Sequence, residues 1–208
     1  MLRLSLLAAV IGCTLFSFVL AQTPTYVPNE GLVLFMGFNG DVNDDSGSGN
    51  NGISNGIQYT TDRFENAGMA AEFGPNRWIE VTQSESIDFA SGDSLTWSVW
   101  VKTAPSNVGQ TIFHKWNGIV QTTSYPLQAA VSNTGEQIGS QTFCVNNQSS
   151  HGYVNTSIEL GVWTHALMTQ NSDSTILYIN GLPVDTGFVN QTGCSNNTSL
   201  TFGRKFGV

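Results

Sequence analysis

A period of two constrains this chain more than any other feature. In SLTWSVWVK (94–102), Leu95, Trp97, Val99 and Val101 fall on one face, and Thr96, Ser98, Trp100 and Lys102 on the other. TILYINGLPVDTG (175–187) reads as a hairpin around Asn180-Gly181, a pair that tolerates the positive φ of a tight turn. Pro183 directly after that turn suits an edge position, where a missing N–H donor is tolerated. TIFHKW (111–116) and GVWTHALMTQ (161–170) add further strands. No stretch beyond the extreme N-terminus carries a helical period. Short strands at this spacing predict an all-β, antiparallel two-sheet sandwich or jelly roll.

The N-terminus, MLRLSLLAAVIGCTLFSFVLAQ, reads as a secretory signal over residues 1–21, cut after Ala21. An uncleaved anchor and a lipoprotein cut at Cys13 are the alternatives. A linker (22–29) and one domain (30–208) follow, giving a secreted product with no stable membrane insertion after cleavage. Loss of Arg3 leaves six basic residues against fifteen acidic ones, a balance that repels phosphate backbones and argues against nucleic acid. In an oxidising compartment Cys144 and Cys194, set in the near-repeats QTFCVNNQS and QTGCSNNTS, are expected to form a disulfide. Two buried thiols that never meet are the other reading.

FNGDVNDDSGSGNNG (38–52) is dense in oxygen donors. Asp41, Asn43 and Asp45 open like an EF-hand loop, since alternate side chains can converge on one hard cation. Ser46 then stands where the sharp turn needs Gly, and Gly52 where a bidentate Glu should close the site. The EF-hand reading fails.

The order of motifs is more telling than any one of them. GLVLFMGFNGDVNDDSGSGNNG, TTDRFENAGMAAEFG, RWIEV, SLTWSVWVKT, TIFHKWN, GVWTHALMT, LYINGLPVDTG and LTFGR together resemble a laminin G-like jelly roll of the concanavalin A-like lectin/glucanase group, over about residues 30–206. The resemblance implies that GLVLFMGF is the first strand and that a structural calcium ion lies near Asp44, with Asp41 and Asp45 completing an oxygen shell. A turn capped by its own Asn and Asp side chains is the alternative. The resemblance also implies a closing strand after Gly203-Arg204. The chain stops at LTFGRKFGV, so that strand is expected to be missing and the sequence to be a fragment of a longer protein.

Enzymes occur on such folds, so catalytic patterns matter. The E-x-D-x-x-E strand of glucanases has no match: Glu85-Ser-Ile-Asp88 has the wrong spacing and lacks the second Glu. G-x-S-x-G at 52–56 lies in a polar turn run rather than between a strand and a helix. His114, His151 and His165 show no metal-ligand spacing. No catalytic residue is assigned. Binding fits better, because sugars are held by aromatic faces with amide and carboxylate hydrogen bonds. Trp78, Trp116, Asn117 and Tyr125, beside predicted loops, are the candidate platform, whereas Trp100 and Trp163 are read as core. The expectation is a non-catalytic module binding an extracellular glycan or glycoprotein. The recognition domain of a larger glycosidase and a protein-binding adhesion domain are the alternatives.

Overall fold

The computed structural model describes residues 23–89, 93–106, 109–116, 125–144, 149–189 and 196–204, with main chain alone at 125–126, 142–144 and 149–153. The predicted signal sequence, Asn117 and Cys194 lie outside the described residues, as does the side chain of Cys144, and so the proposed disulfide does too.

Among the described residues the regular structure is β, apart from a 3-10 turn at Glu85–Ile87. The strands are β1 (Gly52–Asn55), β2 (Gln58–Thr60), β3 (Ala70–Glu72), β4 (Trp78–Val81), β5 (Leu95–Lys102), β6 (Gln110–His114) and β7 (Tyr125–Val131). They continue with β8 (Gln137–Cys144), β9 (Ser149–Ser157), β10 (Trp163–Gln170), β11 (Ser174–Ile179), β12 (Leu182–Phe188) and β13 (Leu200–Phe202). A seven-stranded sheet runs β1-β4-β13-β6-β7-β8-β9, a four-stranded sheet runs β12-β11-β10-β5, and β2-β3 form a small hairpin. Every pairing is antiparallel. The jelly-roll sandwich expected from the sequence is the observed fold.

Alternation builds the core. Ile79 and Val81 of β4, Leu95 and Trp97 of β5, and Ala166 and Met168 of β10 point between the sheets. Each large side chain buried there contributes about 1.5–3 kcal/mol. Trp97 joins the two sheets: its ring meets Phe113 edge-on at 5.3 Å, and its Nε1–H donates to Ser140 Oγ at 3.3 Å. The β11–β12 turn has positive φ at Asn180 (50°) and Gly181 (82°), as the Asn-Gly pair predicts.

One predicted strand is absent. GLVLFMGF forms no ladder, although Val33, Leu34 and Met36 still pack on the core. The following loop takes its hydrogen bonds instead. Phe35 N–H donates to Asp44 Oδ1 (3.0 Å), Asp45 N–H donates to Phe35 O (2.8 Å), and Asn50 Nδ2 donates to Val33 O (2.6 Å). Buried main-chain groups need partners, and loop side chains satisfy these as well as a neighbouring strand would.

Lys115, just past β6, points inward with a fully buried side chain. Its Nζ donates to Asn196 O (2.7 Å), Asn196 Oδ1 (3.0 Å) and Asp88 Oδ1 (3.4 Å). Burial pulls its pKa down, and the Asp88 carboxylate opposes that pull. Removing one partner of such a pair strands the other in a poorly solvating interior. Urea unfolding of Lys115→Ala is expected to show a loss of about 3–5 kcal/mol, the usual range for breaking a buried pair. Lys115→Met, which avoids a cavity, is expected to lose less.

Candidate functional site

Strand register places one row of side chains across six strands of the larger sheet, on the face opposite the core. Ile53 pairs with Glu80, Glu80 with Thr201, Thr201 with His114, His114 with Gln128, and Gln128 with Gln141. Glu80 Oε1 accepts from Ser199 Oγ (2.9 Å), and Gln141 Nε2 donates to Gln128 Oε1 (2.9 Å). His114 Nε2–H donates to Arg204 O (2.8 Å). Burial holds the His114 pKa below the usual histidine range; the bond to the Arg204 carbonyl opposes this and the Arg204 charge reinforces it. The imidazole is therefore neutral at pH 7.

Two of the tryptophans singled out from sequence flank this row. Trp78 lies two residues from Glu80, and Trp116 two residues from His114 with its ring 6.4 Å from the imidazole. Both are half-buried. Four residue rises and two strand spacings separate them, on the order of 15 Å along a diagonal. The Arg204 guanidinium covers Trp78 at 4.7 Å, and the Trp78 indole N–H is buried with no acceptor among the described residues. Tyr125 opens β7, but its side chain, like Asn117, is outside the described residues. The row presents a carboxylate and two primary amides, with an indole beside it at β4 and just past β6; His114 and Thr201 are buried within it and support it from below. That set can hydrogen-bond hydroxyl groups and cover the apolar face of a ring.

The sequence reading misplaced Trp100. It is 42% exposed and stands on the outer face of the smaller sheet, not in the core. Its ring lies 5.1 Å from that of His165, and the Arg63 guanidinium sits over it at 4.6 Å. His165 is satisfied, with Nε2 2.8 Å from Ser98 Oγ, but it too is only half-buried on this outer face. The signal was the polar alternation of β5, which had placed Trp100 opposite Leu95 and Trp97. Glu80, Gln128 and Gln141 were missed because only register brings them into one row.

The acidic loop is organised around Asp44. Oδ1 accepts from Phe35 N (3.0 Å) and Ser46 N (2.9 Å), and Oδ2 from Asn50 N (2.8 Å). Asp41 Oδ1 caps Asn43 N at 3.0 Å. Asn50, itself buried, donates to Val33 O and Ser86 Oγ and accepts from Ser84 Oγ. Burial alone would raise the Asp44 pKa, but hydrogen bonds from the Ser46 side chain and from the Phe35, Ser46 and Asn50 main chain hold it below the usual range. Asp45 is pushed up by burial and by the charges of Asp41 and Asp44. Among the described residues no group of three or more His, Cys, Asp or Glu converges as a metal site requires. Two N–H donors occupy Asp44 Oδ1 and one occupies Oδ2, which retains a lone pair.

A family model described as the concanavalin A-like lectin/glucanases superfamily matches residues 73–207. No curated protein matches the chain by sequence. Among solved structures, the receptor binding domain of botulinum neurotoxin C/D mosaic serotype aligns with a TM-score of 0.63 at 18% identity, over 85% of this chain and 44% of that one. A botulinum neurotoxin type C structure, titled for cell entry dependent upon interaction with two ganglioside molecules, aligns at 0.62 and 19% identity, over 84% and 43%. Domain 4 of AbnA, a GH43 extracellular arabinanase from Geobacillus stearothermophilus, solved with arabinotriose, aligns at 0.56 and 18%, over 81% and 80%. The chain thus spans less than half the length of these toxin structures, and at such identities the likeness shows the fold.

Asp44→Ala is expected to destabilise the fold by about 2 kcal/mol, from loss of three charge-assisted bonds after allowance for solvent screening. The loss should be the same in calcium and in chelator, as thermal melts of both proteins will show. Because the folded pKa of Asp44 lies below the unfolded value of about 3.9, its stabilisation is present above that value and fades as pH falls through the folded one. Wild type and Asp44→Ala should therefore converge in stability in strong acid.

Proposed function

Because the chain belongs to the concanavalin A-like lectin/glucanases superfamily, we propose that it is a secreted, non-catalytic module that binds an extracellular carbohydrate, free or on a glycoprotein. The observation that carries this reading is the row from Glu80 to Gln141, flanked by Trp78 and Trp116. Stacking supplies area, and the carboxylate and amides supply direction, which is how neutral polyols are distinguished from water. Glu80 is the one acid in the row. Glycoside hydrolysis generally uses two carboxyl groups flanking the scissile bond, so this face is suited to holding a glycan without cleaving it. Secretion rests on the signal-like residues 1–21.

The likeness to one domain of an extracellular arabinanase supports a second reading, in which the module serves as the recognition part of a larger glycosidase. The calcium ion expected at the 41–51 loop enters only as a proposal. It would neutralise Asp41 and Asp45, and calcium-dependent melting abolished by Asp45→Asn would support it.

Glycan-array screening of the secreted protein, followed by titration with the best ligand, tests the main reading. Trp116→Ala is expected to weaken binding by roughly tenfold, as loss of one stacking face does. Glu80→Gln should weaken it further while leaving the melting temperature within a few degrees. No new reducing ends should appear on prolonged incubation. Undiminished binding in both variants, or hydrolysis lost in Glu80→Gln, would overturn it.

A further inference from the structure

The outer face of the four-stranded sheet carries a cation whose N–H groups make no hydrogen bond or ion pair among the described residues. The Arg63 guanidinium lies over two rings, 4.3 Å from the centroid of Phe64 and 4.6 Å from that of Trp100. It is half-buried, and among the described residues its N–H groups meet no acceptor. The contrast with Arg77, paired with Glu72, and Lys115, paired with Asp88, is sharp in a chain whose formal charge is −8.

Lys102 adds a second cation to this face. His165 stacks near Trp100, and Lys102 is exposed on the same strand face, two residues from Trp100 and opposite Trp163. The adjoining acid, Asp62, is turned into its own loop: Oδ1 accepts from Phe64 N and Asn66 N (both 2.8 Å), and Oδ2 from Asn66 Nδ2 (3.2 Å). Glu65 is exposed in the same turn. Arg63, Trp100, Lys102, Trp163 and His165 line part of one broad cleft, and β5 is the edge strand of this sheet among the described residues. Burial holds the His165 pKa down and the Arg63 charge lowers it further, so Arg63 and Lys102 carry the positive charge at neutral pH.

We propose that this face is a second binding site, in which Arg63 receives the carboxylate of an acidic sugar residue. The guanidinium lies against two aromatic rings, and among the described residues its N–H groups have no acceptor, so its planar fork is left to match a carboxylate with two parallel bonds. The exposed ring of Phe64, 66% accessible, offers apolar surface beside that fork for the sugar ring. The sugar component rests on the glycan-binding reading given above; the anion component rests on Arg63 alone.

Calorimetric titration of the secreted protein with a galacturonate trimer, the galactose trimer of the same linkage, and a triglutamate peptide tests this. The acidic trimer is expected to bind at least tenfold more tightly than the neutral one, in line with a charge-assisted bidentate contact. That advantage should vanish in Arg63→Gln, survive only in part in Arg63→Lys, and shrink as salt is added. Unchanged melting of both variants would show that they fold, as the absence of hydrogen bonds to Arg63 leads one to expect.

Equal affinity for the two trimers, or an advantage that persists in Arg63→Gln, would sink the proposal. So would triglutamate binding as tightly as the acidic trimer through Arg63, because the partner would then be an acidic peptide. The two readings fail differently. Equal binding of both trimers removes the Arg63 site and keeps the neutral platform. An Arg63-dependent acidic advantage without neutral binding removes the platform and keeps Arg63.

Discussion

The fold depends on one buried ammonium group being fully paired. Lys115 sits between two residues of the opposite face, so the inward turn of its side chain is also the outward turn of His114 and Trp116. Its three donors meet Asp88 and two oxygens of Asn196, while Asn196 returns bonds to Asp88 Oδ1 and to Lys115 O. Three distant stretches are thereby tied together: the turn before β5, the end of β6 and the approach to β13. A hydrophobic residue would pack there without specifying neighbours. The charge specifies them, because an unpaired ammonium in that position is intolerable.

Asp44 plays a comparable part before β1. There a carboxylate gathers main-chain N–H groups and substitutes for a strand partner. It also explains why that stretch was only half legible in the sequence. The apolar pattern of GLVLFMGF correctly indicated burial, and Val33, Leu34 and Met36 do reach the core. Periodicity, however, reports which side chains are buried and not who accepts the main-chain hydrogen bonds. By contrast β5, β10 and the β11–β12 hairpin were legible because alternation and Asn-Gly turn chemistry are local. Trp100 was misjudged because the size of an aromatic ring argues for burial, while among the described residues that face of the smaller sheet leaves it 42% exposed. The row from Glu80 to Gln141 could not be foreseen, since its members come together only through the register of strands distant in sequence.

The two accessible faces share a device. Trp78 carries the Arg204 guanidinium at 4.7 Å and Trp100 carries Arg63 at 4.6 Å. In a chain with so few basic residues, placing two of them on tryptophan rings is economical: each cation keeps a half-exposed indole in one orientation while remaining available to solvent. Arg204 is further held through its carbonyl by His114, so it belongs to the frame of its face. Arg63 has no such tie.

The position of β13 has a consequence for how the molecule assembles. It is the most C-terminal of the described strands, yet it lies between β4 and β6, in the interior of the seven-stranded sheet. Until those residues leave the ribosome, β4 and β6 have no common neighbour, and the edges they present are open. Pairings over such separations close large loops before they gain contacts, which makes folding slow and leaves unpaired strands exposed in the meantime. On the synthesising ribosome the two halves of the larger sheet must therefore wait for one three-residue strand, and a nascent chain that stalls just short of Leu200 has every other described strand but none to bridge β4 and β6.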